Sequence, residues 1–149
     1  GQRVQFQWIH SGETSEETLN AFDKIKSLKP DLIIGPSLSS QVLILLKLLE
    51  QNKMRTPLVT PTATSTEILA YDNVLMVANS NSVQARMLAS VIKEKKPRQV
   101  MVIDIRDCVY CTNMASELTA ALSAAGIDYL SRTVMERDIE SSEILAAAT

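Results

Sequence analysis

The stretch "DLIIGPSLSSQVLILLKLLEQNKMRTPLVTPTATSTEIL", residues 31–69, shows one arrangement twice. A short apolar run, a turn rich in Ser and Thr, and a run with helical character follow one another, first from "DLIIG" and again from "TPLVTP". Short apolar runs of this kind are typical of strands in a parallel sheet, and Val42–Gln51 between them predicts a helix. Strand, helix and strand in this order predict a βαβ unit.

The same alternation continues on both sides of this stretch. Arg3–Ile9 alternates apolar and polar residues, which predicts a first strand, and the helical spacing over residues 15–28 predicts a helix that Pro30 ends. Further strands are predicted at residues 73–78, 100–105 and 127–135, and further helices at residues 83–95, 114–125 and from residue 141 onward. In the helix over residues 83–95, Met87, Leu88, Val91 and Ile92 are expected to face inward.

These elements predict the fold class α/β, with parallel sheets and helices on both faces. The polar run "NSNS", Asn79–Ser82, interrupts otherwise continuous βαβ units and is the expected boundary between two lobes. We therefore expect a partial N-terminal lobe over residues 1–79 and a partial C-terminal lobe over residues 80–149.

Composition and charge exclude several classes of function. Apolar residues make up 46% of the chain and aromatic residues 4%, which predicts a globular domain with an aliphatic core. The net charge of −2 comes from interspersed signs, and the densest basic run, Lys93–Arg98, falls at a predicted helix end, where cations suit the helix dipole. No nucleic-acid partner is expected. No apolar stretch reaches the roughly 20 residues that a membrane-spanning helix needs.

Cys108 and Cys111 lie between a strand-like run and a helix-like run, which is how a thioredoxin-type redox site is built. Thioredoxin-like folds resemble one another in having a downstream cis-proline that faces the dithiol, and this chain has no proline after Pro97. A zinc site needs about four ligands, and His10 is the only histidine that could join the two thiols. A local disulfide and two packed thiols are the other interpretations.

No constellation of residues predicts catalysis. His10 follows a predicted strand and has no acid or nucleophile motif near it. The sequence contains no nucleophile elbow, no phosphate-cradling glycine loop and no paired-carboxylate motif. With four glycines, a dinucleotide-binding fingerprint is excluded. We expect no catalytic residue, no metal site and no cofactor.

The two Ser/Thr-rich turns, "GPSLSS" at residues 35–40 and "TPTATS" at residues 60–65, are the strongest candidates for a binding site. Each follows a short strand and opens a helix, and ligands of parallel α/β sheets bind at the carboxyl ends of strands. Hydroxyls and helix N-terminal amides suit a carboxylate or another anion. Helix capping by Ser and Thr is the alternative for each turn taken singly.

The two turns also carry a resemblance to the type I periplasmic binding proteins, the branched-chain amino-acid receptors of ABC transporters. That family has "IIGP-x-x-S", then a helix, then "VP-x-(I/V)-(S/T)-P-x-A-T". The matching positions here are Ile33, Gly35, Pro36, Ser39, Pro57, Val59, Thr60, Pro61, Ala63 and Thr64. The resemblance continues through "NSNSVQARMLASVI" and "QVMVIDIRDCVYCTNMASEL" and covers nearly the whole chain.

The resemblance implies an extracytoplasmic solute-binding protein without catalysis. An amino acid or a similar small carboxylate would lie in the cleft between two α/β lobes, and an ABC permease in the membrane would be the partner. The first-lobe contacts carry over to Ser39, Ala63 and Thr64, which would hold the α-carboxylate and α-amino groups. The second-lobe aromatic contact carries over to Tyr110, in a turn that the two cysteines would fix. The location implied is periplasmic or extracellular, with a lipid anchor as an option.

The chain departs from the family pattern in three places. Cys111 stands where the family has glycine, the family's first strand and helix would precede Gly1, and much of the second lobe would follow Thr149. The chain is therefore expected to be an internal fragment of a longer receptor. Two alternatives stay open: a receptor-like regulatory or sensory domain of the same fold, and a dithiol oxidoreductase using Cys108 and Cys111.

Overall fold

The computed structural model describes residues 3–12 and 14–135, in which helices alternate with strands. The elements are α1 (Ser15–Leu28), β1 (Ile33–Ile34), α2 (Ser39–Gln51), β2 (Leu58–Thr60), a 3-10 helix (Thr66–Ala70), β3 (Val74–Met76), α3 (Asn81–Lys95), β4 (Met101–Ile105), α4 (Val109–Ala124) and β5 (Leu130–Val134). Every described strand pair is parallel, which confirms the predicted α/β class.

The described strands form two separate sheets. The first has the order β1-β2-β3 and the second pairs β4 with β5. Ile33, Leu58 and Val74 are register partners across the first sheet, so their side chains share one face. The other face carries Ile34 and Leu75, whose side chains are exposed.

The described residues divide into two compact units. The first unit runs up to Ala63 and also takes in Glu67–Ala78, and the second comprises Thr64–Thr66 and the described residues from Asn79 onward. The chain therefore passes into the second unit for three residues before it returns to the first. The lobe boundary expected from the sequence stays a prediction.

The core of the first unit is aliphatic, as the composition indicates. Phe22 and Ile25 of α1 and a row of apolar residues of α2 pack on the face of the sheet that holds Ile33 and Leu58. The most deeply buried of these side chains are Val42, Leu46, Leu49, Leu58 and Ile68. Each such side chain contributes roughly 1.5–3 kcal/mol to the free energy of folding.

Helix α1 begins at a capping box. The Thr14 hydroxyl accepts from the Glu17 backbone N–H at 3.2 Å, and the Glu17 carboxylate accepts from the Thr14 N–H at 3.0 Å. Two backbone donors that the helix leaves without partners are satisfied in this way. The Gly12 φ of +66° lets the chain enter this turn, and a Cβ at Gly12 would overlap the Glu17 side chain.

The second unit has a smaller core, in which α3 packs on α4. Ala89, Val102 and Leu122 are its buried centre. Helix α4 ends in a Schellman motif, because Gly126 has a φ of +71° and the Ile127 N–H donates to the Leu122 carbonyl at 3.0 Å.

One predicted strand is wrong. Arg3–Ile9 has no strand conformation, and Val4, Phe6 and Trp8 are exposed, Trp8 to 96%. Alternation of apolar and polar residues predicts which face of a strand is buried, but a strand also needs a neighbour for its backbone hydrogen bonds. None of the described strands pairs with these residues.

Other boundaries and faces also differ from the predictions. The expected inward face of α3 is wrong for Met87, Leu88 and Val91, which are 61%, 44% and 52% exposed, while Ala85 and Ala89 are buried. Helices α2, α3 and α4 begin at Ser39, Asn81 and Val109, each earlier than the predicted starts at residues 42, 83 and 114. The predicted helix from residue 141 onward lies outside the described residues.

Candidate ligand-binding site

The turns that follow β1 and β2 are joined by hydrogen bonds. The Thr60 Oγ1 donates to the Pro36 carbonyl at 2.8 Å, and the Thr62 Oγ1 donates to the Ser37 carbonyl at 2.9 Å. Thr60 is fully buried and Thr62 is exposed. The two Ser/Thr-rich turns therefore form one surface at the carboxyl edge of the first sheet, where ligands of this architecture bind.

Ser39 is the first residue of α2 and is buried. The N-cap of α2 is Leu38, which offers no side-chain acceptor, and the first turn of the helix holds no acidic residue. Helix α1 has both a side-chain cap and two acidic residues in its first turn. The first turn of α2 thus supplies no carboxylate of its own, unlike the first turn of α1, and an anion placed at the amino end of α2 would be stabilised by the helix dipole.

Ala63 and Thr64 lie immediately after β2 and are both buried. The Ala63 N–H donates to the Thr60 Oγ1 at 3.3 Å, so this amide already has an acceptor within the turn. The Thr64 carbonyl accepts from the Asn81 backbone N–H at 2.7 Å. Ser39 and Ala63 belong to the first unit, and Thr64 groups with the second.

Tyr110 lies in the first turn of α4, within a short loop that a disulfide closes. Cys108 is the N-cap of α4 and is disulfide-bonded to Cys111, with Cα atoms 5.2 Å apart. The Cys111 N–H donates to the Cys108 Sγ at 3.2 Å. The Tyr110 side chain is 46% exposed. Of the interpretations left open for the cysteines, the structure shows a disulfide.

A polar cluster that the sequence did not predict lies beside Thr64. Asn81, Asn113, Thr66 and Glu117 are connected by side-chain hydrogen bonds of 2.8–3.1 Å. These residues come from three parts of the chain, and each is an ordinary residue for a helix end or surface. No local pattern marks them, because their partners lie 32 to 51 residues away in sequence.

Two observations limit the kinds of site that the described residues form. In residues 3–12 and 14–135, no group of three or more His, Cys, Asp or Glu residues is arranged to hold a metal ion. Among the helices of the same residues, none has the length and apolar character needed to cross a membrane.

The family of the chain follows from a match over its whole length. The chain belongs to the family described as the receptor family ligand binding region, whose model matches residues 1–149. No curated protein sequence matches the chain.

Solved structures show the same fold. A leucine-binding protein from Thermotoga maritima superposes with a TM-score of 0.82 at 20% identity, over 94% of this chain and 40% of that one. An ABC transporter solute-binding protein from R. palustris in complex with benzoate gives 0.73 at 19% identity, over 87% and 36%. A substrate-binding protein from Desulfitobacterium hafniense in complex with Leu gives 0.66 at 20% identity, over 89% and 40%.

These matches confirm the predicted likeness to type I periplasmic binding proteins. The chain spans 36–40% of the length of these three neighbours. Members of this class are solute-binding proteins, and the fold of the described residues is theirs.

Proposed function

We propose that the protein is the extracytoplasmic solute-binding component of an ABC-type uptake system and binds an amino acid or a similar small carboxylate. The observation that carries the proposal is the pair of turns joined through Thr60 and Thr62. They place the start of α2 beside the end of β2. This surface combines hydroxyl groups with the amino end of a helix, which is suited to a carboxylate.

The ligands named for the structural neighbours support the same chemistry. Two of those proteins are described with leucine and one with benzoate. Leucine and benzoate share a carboxylate, whereas only leucine has an α-amino group. We therefore assign the ligand's carboxylate to the part of the site that this chain contributes. Ser39 and Thr64 would donate hydrogen bonds to it through their hydroxyls. The Ala63 amide would donate as well, after it exchanges its present acceptor for the ligand. Tyr110 would contact the remainder of the ligand.

The partner and the location follow from the same proposal. A solute-binding component delivers its ligand to a permease in the membrane, so an ABC permease is the proposed protein partner. The protein would work in the periplasm or outside the cell, and its role would be binding without catalysis.

Isothermal titration calorimetry on the full-length protein tests this function. We expect at least one member of a panel of amino acids and benzoate to bind with a stoichiometry of one. Thr64→Val should weaken that binding by about 1–3 kcal/mol, because the variant leaves a buried polar partner without its hydrogen bond. Thr133→Val is the matched control, since Thr133 is exposed in β5.

Two outcomes would count against the proposal. If no member of the panel binds, the assignment to small carboxylates is wrong. If Thr64→Val binds as tightly as the wild type, Thr64 is not part of the site. A role in uptake also requires that cells without the protein take up less of the ligand. Unchanged uptake with retained binding would favour the receptor-like regulatory alternative.

A further inference from the structure

The segment Thr64–Thr66 is held by the backbone at the start of α3 and by side chains of α4. The Asn113 Oδ1 accepts from the Thr66 N–H at 3.1 Å, and the Asn113 Nδ2 donates to the Thr66 Oγ1 at 2.9 Å. The Thr66 Oγ1 in turn donates to the Glu117 Oε1 at 2.9 Å. Asn113 and Glu117 are four residues apart on α4 and share one face of the helix.

Asn81 holds the other end of the same segment. Its backbone N–H donates to the Thr64 carbonyl at 2.7 Å, and its side-chain Nδ2 donates to the Asn113 Oδ1 at 2.8 Å. Thr64–Thr66 is thus bonded at its first residue by α3 and at its last residue by α4. These bonds account for the grouping of these three residues with the second unit, while their neighbours on both sides group with the first.

The orientation of both amides is fixed by one backbone donor. Because the Thr66 N–H can only donate, the Asn113 atom that faces it must be the oxygen. The Asn81 atom that faces the same oxygen must then be the nitrogen. The Asn81 Oδ1 is left buried, with no hydrogen-bond partner among the described residues, in a side chain that is 0% exposed.

This unsatisfied oxygen argues against a role in stability alone. A buried acceptor without a partner opposes folding, and apolar side chains would fill the same space without that penalty. Networks of this kind are retained where geometry matters, because two fixed amides allow one arrangement of the segment that they hold. The segment that these amides hold begins with the proposed ligand-contacting residue.

We propose that Asn113 and Asn81 are positioning residues that fix Thr64 for ligand binding. The inference rests on the proposed function, since it assigns these two residues to the same site. Asn113 acts through Thr66 and through the Asn81 side chain, and the Asn81 backbone N–H holds the Thr64 carbonyl. Neither asparagine is assigned a contact with the ligand.

A double-mutant cycle with Thr64 tests the proposal on the full-length protein, with the tightest-binding carboxylate of the panel as the probe. Asn113→Ala should weaken binding about tenfold in the wild-type background. In the Thr64→Val background the same change should weaken it less than twofold, because the residue through which Asn113 acts is already removed. Asn113→Asp keeps the oxygen that accepts from Thr66 and Asn81 but replaces the Nδ2 donor with a second carboxylate oxygen near Glu117. Its affinity should therefore lie between those of Asn113→Ala and the wild type.

The controls separate positioning from a general loss of structure. Asn20→Ala, at an exposed position of α1, should bind as the wild type does. Circular dichroism should show that the Asn113 variants are folded, and the Thr66 amide should exchange its hydrogen faster in Asn113→Ala. If Asn113→Ala weakens binding equally in both backgrounds, or leaves it unchanged, the inference is overturned and the proposed function stands. If the wild type binds no member of the panel, both the inference and the proposed function are wrong.

Discussion

Thr60 connects the two turns of the candidate site through one hydroxyl group. It is fully buried, donates to the Pro36 carbonyl and accepts from the Ala63 N–H. Both groups would be left without a partner if the hydroxyl were removed, and water has little access to this position. The free energy of unfolding should therefore depend strongly on this one oxygen.

Thr60→Val, which keeps the shape of the side chain, should lower the free energy of unfolding by about 1–3 kcal/mol. Urea denaturation followed by circular dichroism measures it. Thr62→Val is the matched control, because Thr62 makes a similar bond at an exposed position where water can replace it. Its effect should stay within about 0.5 kcal/mol. Equal effects for the two variants would show that the Thr60 bond does not hold the turns together.

At the scale of single residues, sequence reasoning identified the turns but not what fixes them. The backbone conformation explains the glycine of "IIGP", since Gly35 has a φ of +103°, which other residues rarely adopt. The bond from Thr60 to Pro36 joins residues 24 apart, and the cluster around Asn113 joins residues still further apart. A local pattern carries no information about such partners.

The amino end of α4 is the part of the fold whose role the sequence left most open. The disulfide joins the N-cap, Cys108, to Cys111 in the first turn, and Tyr110 lies between them. This arrangement stiffens the start of the helix that carries the proposed aromatic contact. It gives the cysteines a structural role that needs no redox cycle.

We therefore expect no disulfide-reductase activity from the full-length protein. In an insulin-reduction assay with dithiothreitol, turbidity should develop at the rate of the reductant alone, and Cys108→Ser should behave in the same way. Serine is a favourable N-cap residue, so α4 should remain helical in this variant. Turnover by the wild type that disappears in Cys108→Ser would establish the dithiol oxidoreductase alternative.

At the scale of elements, the order of helices and strands was predictable and their faces less so. Short apolar runs separated by helical spacing predicted β1 to β4, because burial in a parallel sheet demands such runs, and the mixed, exposed β5 falls within the strand predicted at residues 127–135. The buried face of α3 is lined by Ala85 and Ala89, and alanine contributes little to an apolar pattern. The larger Met87 and Val91 therefore misled the prediction. Arg3–Ile9 misled it because alternation does not reveal whether a partner strand exists.

The described residues form two parallel sheets and divide into two compact units, and the chain matches one family over its full length. Its likeness to solute-binding proteins extends over most of this chain and less than half of theirs. The turns of the first unit supply hydroxyls and a helix amino end, and those groups suit a carboxylate. The central claim is therefore that this chain binds its ligand through the ligand's carboxylate group.

Calorimetry with two ligands, one that carries the carboxylate and one that lacks it, tests the claim most directly. The full-length protein is titrated with the tightest-binding amino acid of the panel and with the corresponding amino alcohol, L-leucine and L-leucinol being the first pair. The two ligands share the side chain and the amino group. We predict that the alcohol binds at least about tenfold more weakly, because charged hydrogen bonds contribute roughly 1.5–3 kcal/mol. Equal affinity for the acid and the alcohol would contradict the account.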